Sequence, residues 1–285
     1  MNTFNLWWND NRKNFKAILF DVDGTLVSGL NLLTGADQLL AELRESNFPF
    51  FLLTNDGNHS TQEKSSLMAQ AGLHVSSDEI VSCSMALDEF AEVNDLKGEK
   101  FFVMGDLGKP CYAEWASLEV CRDLNQIYEC AGILIGEGFY NWHDNIQAAF
   151  NFLLRYPERP LIVPNPDSFW PKGKDGEFGI GAGGKARFIC SILEEAGVKV
   201  SPVYLGKPYK HIYLYTLHLL KRRFGIDTLE QKNVLMLGDS LKSDIRGANM
   251  LGIKSGLMLT GITTARQAEE ATGELKPDYV FDSLG

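Results

Sequence analysis

Apolar residues in this chain gather in short runs that break off at polar ones. Ala17 to Phe20 is apolar throughout and is followed at once by Asp21. The run leaves no room for a helix before Gly24, so it reads as a strand buried on both faces. Ala36, Leu39, Leu40 and Leu43 have the i, i+3, i+4, i+7 spacing of a helix. A second buried strand runs from Pro49 into Thr54-Asn55. Ser60-Thr-Gln-Glu63 has capping-box spacing, which starts a helix that ends near Gly72. Strand, helix, strand, helix is the rhythm of a parallel sheet.

The middle third departs from that rhythm. Phe101–Met104, Gly132–Ile135 and Leu161–Val163 read as short strands. Helical segments are expected over Tyr112–Leu118, along a stripe at Ile146, Ala149, Phe150 and Leu153, and along another at Ile189, Ile192, Leu193 and Ala196. Pro164 to Gly184 is rich in Pro, Gly and charge and is expected to be mostly loop. Residues 85–202 therefore read as an inserted α/β domain, with 1–84 and 203–285 forming the other. The last part returns to the first rhythm. It has strands at Val203–Leu205, Val234–Leu237, Ser255–Leu259 and Tyr279–Phe281, a helix from about Lys210 to Phe224, and another holding Ile245 and Ala248 and stopping at Gly252. Residues 1–15 are polar but carry Phe4, Leu6, Trp7 and Trp8, which suits either a tail or an extra element packing its aromatics.

Length and composition narrow the class. A chain of 285 residues, 45% hydrophobic and 22% charged, has the balance of an ordinary soluble protein of about two domains. Its net charge of −10 argues against binding nucleic acid or an anionic membrane, and requires local positive charge wherever an anionic substrate binds. Five scattered cysteines (Cys83, Cys111, Cys121, Cys130 and Cys190), with no Cys-x-x-Cys, fit a reducing compartment better than a disulfide framework or a zinc site. No apolar run approaches membrane-spanning length, and the N-terminus has no signal-peptide pattern, so a cytoplasmic location is expected.

Chemistry concentrates at strand ends, where open parallel sheets hold their ligands. The first strand ends in Asp21 and Asp23, one residue apart, with Gly24 permitting a sharp turn. Like charges at the end of a buried strand need a cation between them, and a divalent metal held by oxygen suits that place. The second strand ends in Thr54 and Asn55. The strand at 234–237 leads to Asp239, with Asp244 beyond it, and Lys207 follows the strand at 203–205. These residue types suit phosphoryl transfer. Mg²⁺ on Asp21, Asp239 and the Asp23 carbonyl would offset the repulsion between a carboxylate and a phosphate dianion. Lys207, Thr54 and Asn55 would hold the transferring oxygens. Asp21 would attack phosphorus, while Asp23 protonates the leaving oxygen and then deprotonates water. Each residue taken alone has a plainer reading as a turn, a helix cap or a first-turn acid. The set, in this order and at strand ends, is what points to a site.

Asp-Val-Asp-Gly-Thr-Leu at 21–26, Leu-Thr-Asn at 53–55, Gly-Lys-Pro at 206–208 and Gly-Asp-Ser-Leu-Lys-Ser-Asp-Ile at 238–245 resemble the four motifs of the haloacid-dehalogenase-like superfamily. The insertion between the second and third motifs, with Pro164-Asn-Pro-Asp167 and the Gly-rich run 179–184, resembles the NagD-type class. The resemblance implies a Rossmann-like, doubly wound core with a smaller α/β cap, Mg²⁺, and hydrolysis of small phosphorylated metabolites through phospho-Asp21. By the same pattern Asp244 supports the metal's waters, and caps of this class often mediate homodimers. The chain departs from many members after Thr54-Asn55, where Asp56-Gly57-Asn58 places a carboxylate near the approaching substrate.

Gly179 to Lys185 fits Gly-x-Gly-x-x-Gly and nearly fits a P-loop, but residue 186 is Ala, which lacks the hydroxyl a bound magnesium needs. The run reads as a loop leading into a helix that starts near Lys185. Together with Asn165, Asp167, Phe169 and Trp170 it is a candidate for recognising the leaving group. A silent binding or regulatory module on the same fold, and nucleotide binding through Gly179–Lys185, are the alternatives.

Overall fold

Ala17–Phe20 forms the strand its apolar run predicts, with all four side chains buried. The computed structural model of the chain describes residues 2–172, 177–226 and 228–285. These fall into two compact units. The first holds the residues up to Thr54, Thr61–Val81 and Lys207–Gly285; the second holds Asn55–Ser60 and Ser82–Gly206.

In the first unit a six-stranded sheet runs in the order Tyr279–Phe281, Lys254–Met258, Val234–Gly238, Ala17–Phe20, Phe50–Thr54, Ile80–Ser82. Ala17–Phe20 pairs in parallel with Val234–Gly238 on one side and Phe50–Thr54 on the other. The chain leaves this central strand toward one edge and returns to its other side, so the carboxyl ends of Ala17–Phe20 and Val234–Gly238 lie side by side where the direction switches. That is where such sheets form a crevice for ligands. Asp21 and Asp239 follow these two strands, and the Asp21 N–H donates to the Leu237 carbonyl at 2.8 Å. The helix Ala36–Glu45 buries Ala36, Leu39, Leu40 and Leu43, the stripe its spacing announces. The N-terminal residues form a helix, Phe4–Asn11, that buries Phe4 and Trp8. Phe4 meets Phe281 edge to face at 5.2 Å, and Trp8 stacks on Phe15 at 5.8 Å.

The second unit has its own parallel sheet in the order Val203–Tyr204, Leu161–Val163, Gly132–Ile135, Lys100–Met104, Glu119–Cys121. Helices Trp142–Arg155 and Ala182–Glu195 pack Phe152, Leu153, Ile189 and Leu193 with the strand residues Phe102, Ile133, Ile135 and Val163. Three expectations change here. Val203–Tyr204 belongs to this second sheet rather than to the first, as its edge partner Leu161–Val163 shows. Residues 55–60 group with the second unit. The stretch 164–184 is not mostly loop: Phe169–Lys172 and Glu177–Ile180 pair antiparallel, and the helix begins at Ala182, three residues before Lys185. Lys174 to Gly176 lie outside the described residues. The short strands Ile80–Ser82 and Glu119–Cys121 and the two-residue pair Val27–Ser28 with Asn31–Leu32 carried too little periodicity to be read beforehand.

Candidate active site

Asp21, Asp239 and Asp244, far apart in sequence, bring carboxylate oxygens within 4.8 Å of one another in the first unit. Lys207 stands among them. Its ammonium donates to Asp21 Oδ1 at 2.5 Å, to Asp244 Oδ1 at 2.8 Å and to the Leu53 carbonyl at 3.1 Å. The lysine reaches this place from the segment ahead of the helix Lys210–Phe224, and only 2% of its surface is exposed. Burial alone would lower its pKa, but the charges of Asp21 and Asp244 more than reverse that and hold it as an ammonium.

Glycines make room for the acids. Asp239 Oδ2 accepts the Ile262 N–H at 2.8 Å. A Cβ at Gly24 would lie 2.3 Å from that oxygen, and one at Gly261 only 1.8 Å away. Gly24 also has φ of +84°, open to glycine and costly for other residues. Asp244 sits in a π-helical turn, Leu241–Ile245, a local widening often found at functional sites. Its Oδ2 accepts the Ser240 N–H at 3.1 Å, and its carbonyl accepts the Tyr213 hydroxyl at 3.2 Å. Gly238 is required as well, because its Cβ would stand 2.3 Å from the Asp244 carboxyl carbon.

With all three carboxylates ionised, one ammonium would leave an excess negative charge of two in a buried place. Burial, then the neighbouring charge of Asp244, pushes the Asp239 carboxyl up to about 7. Asp21 is raised well above the usual carboxylate range by burial and by Asp244 and Asp239, against the pull of Lys207. A divalent cation would offset that excess, and an all-oxygen donor set suits a hard ion such as Mg²⁺. Asp244 is engaged by Lys207 and the Ser240 amide; Asp21 and Asp239 sit at the two adjacent strand ends.

The remaining candidates are placed differently. Thr54 ends its strand and is buried. Asp23 turns outward, with 69% of its side chain exposed against 14% for Asp21. Its Oδ2 lies 3.6 Å from the Lys64 ammonium. Asn55 groups with the second unit, where its amide donates to Asp167 Oδ2 at 3.2 Å. Asn165 is buried, accepts the Asp167 N–H at 2.9 Å and donates to Glu137 Oε1 at 3.0 Å. The same Glu137 oxygen accepts the Ala182 N–H at 2.8 Å, so the carboxylate caps the helix Ala182–Glu195 from outside. Asp56 is held by the His59 ring at 2.9 Å and by backbone N–H groups of Asn58 and His59. Lys185 is buried beside Glu137 at 3.7 Å and under the rings of Tyr140 and Trp142, each 4.9 Å away. This seals it from any phosphate and removes the nucleotide reading of Gly179–Lys185.

Sequence reasoning passed over Lys64, Tyr213, Glu137 and Gly261, and took Gly238 only as part of a motif. One signal was there to be read: Lys64, Met68 and Ala71 share a helix face, and a lysine on an apolar stripe calls for a partner.

Residues 18–117 match the model of the haloacid dehalogenase-like hydrolases, and 204–285 match a HAD-hydrolase-like model. The chain belongs to the haloacid dehalogenase-like hydrolase superfamily. Within it the likeness is to NagD-type phosphatases. NagD of Escherichia coli K-12 superposes with a TM-score of 0.78 at 22% identity, over 95% of this chain and 97% of that one. An acid sugar phosphatase of Staphylococcus saprophyticus is 26% identical over 272 residues, 95% of this chain and 96% of its own length. A glycerol phosphate phosphatase of Mycobacterium tuberculosis, solved in complex with magnesium, has a TM-score of 0.79 at 20% identity, over 100% of this chain and 78% of that one. Among the described residues, no helix is long and apolar enough to cross a membrane.

Proposed function

We propose that this chain is a Mg²⁺-dependent phosphatase that hydrolyses small phosphomonoesters through a covalent phosphate on Asp21. The observation that carries the reading is the buried group of Asp21, Asp239 and Asp244 around Lys207. Asp21, the Asp23 carbonyl and Asp239 would hold the ion, with Asp244 supporting its waters. Bound there, it would offset the repulsion between carboxylate and phosphate dianion and polarise the phosphoryl oxygens. Asp21 attacks phosphorus, and Lys207, with Thr54 and Asn55, holds the transferring oxygens. Asp23 gives a proton to the leaving oxygen, then takes one from the water that releases phosphate. The name of the staphylococcal relative puts sugar phosphates first among substrates, and Asn165 and Asp167 are the candidates for leaving-group contact. The account expects release of para-nitrophenol from para-nitrophenyl phosphate with Mg²⁺, loss of turnover with chelator, and a fall of at least about a thousand-fold in Asp21→Asn. Wild-type turnover in Asp21→Asn would overturn the mechanism. An inactive wild type across a metabolite panel would favour a silent binding module.

A further inference from the structure

The helix Thr61–Gln70 buries Met68, and Ala71 just beyond it is buried too; by helical spacing Lys64 lies on that same inward face. Its side chain is only 12% exposed. A cation is poorly placed there twice over. The first helical turn opposes positive charge, and an inward face strips an ammonium of water. An oxygen of the Asp23 carboxyl faces it, with Oδ2 at 3.6 Å from the Lys64 ammonium. The Asp23 main chain is fixed by its bridge to Val27 and by the Gly24 N–H donating to the Val27 carbonyl at 2.7 Å, whereas its carboxyl stands largely in solvent. We propose that Lys64 is a positioning residue for the reaction, holding the Asp23 carboxyl in the orientation that meets the leaving oxygen. This rests on the phosphatase reading above. In the first step the Asp21 oxygen bonds to phosphorus and the phosphorus–ester oxygen bond breaks. Its electron pair stays on the ester oxygen, which takes the proton of Asp23. In the second step Asp23 takes a proton from water as the water oxygen bonds to phosphorus. The phosphorus–Asp21 bond then breaks, returning the Asp21 carboxylate. Lys64 neither gives nor takes a proton in either step.

The test compares kcat/KM of the wild type, Lys64→Met and Lys64→Arg on para-nitrophenyl phosphate, phenyl phosphate and glycerol phosphate with Mg²⁺. This ratio reports the half-reaction in which the leaving group departs. Methionine keeps length and suits the inward face, and a melting curve checks that it folds. Nitrophenolate leaves without a proton, so the loss in Lys64→Met should stay within about two-fold there. It should grow to on the order of ten-fold for the poorest leaving group the wild type turns over, and Lys64→Arg should recover most of it. An equal loss on all substrates, no loss on any, or no recovery in Lys64→Arg would overturn the proposal while leaving Asp21 chemistry standing. A wild type inactive on all three would instead remove the phosphatase reading, and this inference with it.

Discussion

Asp239 is held in a space that only glycines leave open. Its Oδ2 takes the Ile262 amide, and side chains at Gly24 and Gly261 would both occupy the space of that oxygen. The two glycines therefore set where the carboxyl stands and, through it, any ion it shares with Asp21. Gly261→Ala should keep the fold, because the residue lies in a loop between Lys254–Met258 and the helix Ala265–Glu270. It should nonetheless weaken Mg²⁺ activation by on the order of ten-fold, since displacing a group that orients a ligand typically has that effect. A titration of activity against Mg²⁺ checks this, and an unchanged half-activation concentration would disprove it. Asp21 and Asp23, adjacent in motif, are separated in environment. One is buried with Lys207, the other exposed beside Lys64. That separation suits a pair in which one carboxylate attacks and the other handles protons.

Among the elements, the N-terminal helix Phe4–Asn11 joins the core through stacked and edge-on rings. Trp8 meets Phe4 at 5.5 Å and Phe48 at 5.3 Å, and the Phe4 N–H donates to the Ser283 carbonyl at 2.9 Å. Trp8→Ala should lower the unfolding free energy by about 3 kcal/mol in a denaturant titration while leaving kcat of the folded protein unchanged; a loss under 1 kcal/mol would show the helix to be peripheral. Elements with strong periodicity were legible from sequence alone. Ala17–Phe20 is buried at every position, Ala36–Glu45 buries its predicted stripe, and Lys210–Phe224 has the expected bounds. Elements of two to four residues were not, because Val203–Tyr204 and Phe169–Lys172 carry no pattern that chooses their sheet. The acids and Lys207 were legible because each ends or follows a strand. Lys64 and Glu137 were not, since what marks them is the partner they meet, which the sequence order conceals. The strand Val203–Tyr204, taken from sequence as part of the first sheet, pairs instead with Leu161–Val163, so Lys207 reaches the acids without a core strand delivering it.

For the molecule as a whole, a net charge of −10 and a buried acidic group tie stability to pH and to metal. The Asp239 carboxyl is raised to about 7, and Asp21 is raised in the same direction. A carboxyl raised in the folded state contributes stability that is fully present below its ordinary value near 4 and lost as pH rises through the folded value. Without metal, the melting temperature should therefore fall between pH 5 and pH 8 on account of these groups. Mg²⁺ held by these acids would compete with those protons, so the rise in melting temperature it produces should be larger at pH 8 than at pH 5. Thermal melts with Mg²⁺ and with chelator at the two pH values check this, and an equal or larger rise at pH 5 would contradict it. The claim on which all of this depends is that Asp21 carries the phosphoryl group during turnover. The most direct measurement is acid quenching of the enzyme during steady-state hydrolysis of para-nitrophenyl phosphate with Mg²⁺, followed by peptide mass spectrometry. The account predicts one hydroxylamine-labile phosphoryl group on the peptide that begins at Ala17 and contains Asp21, absent in Asp21→Asn. A turning-over enzyme that shows no such adduct, or carries it on another residue, would contradict it.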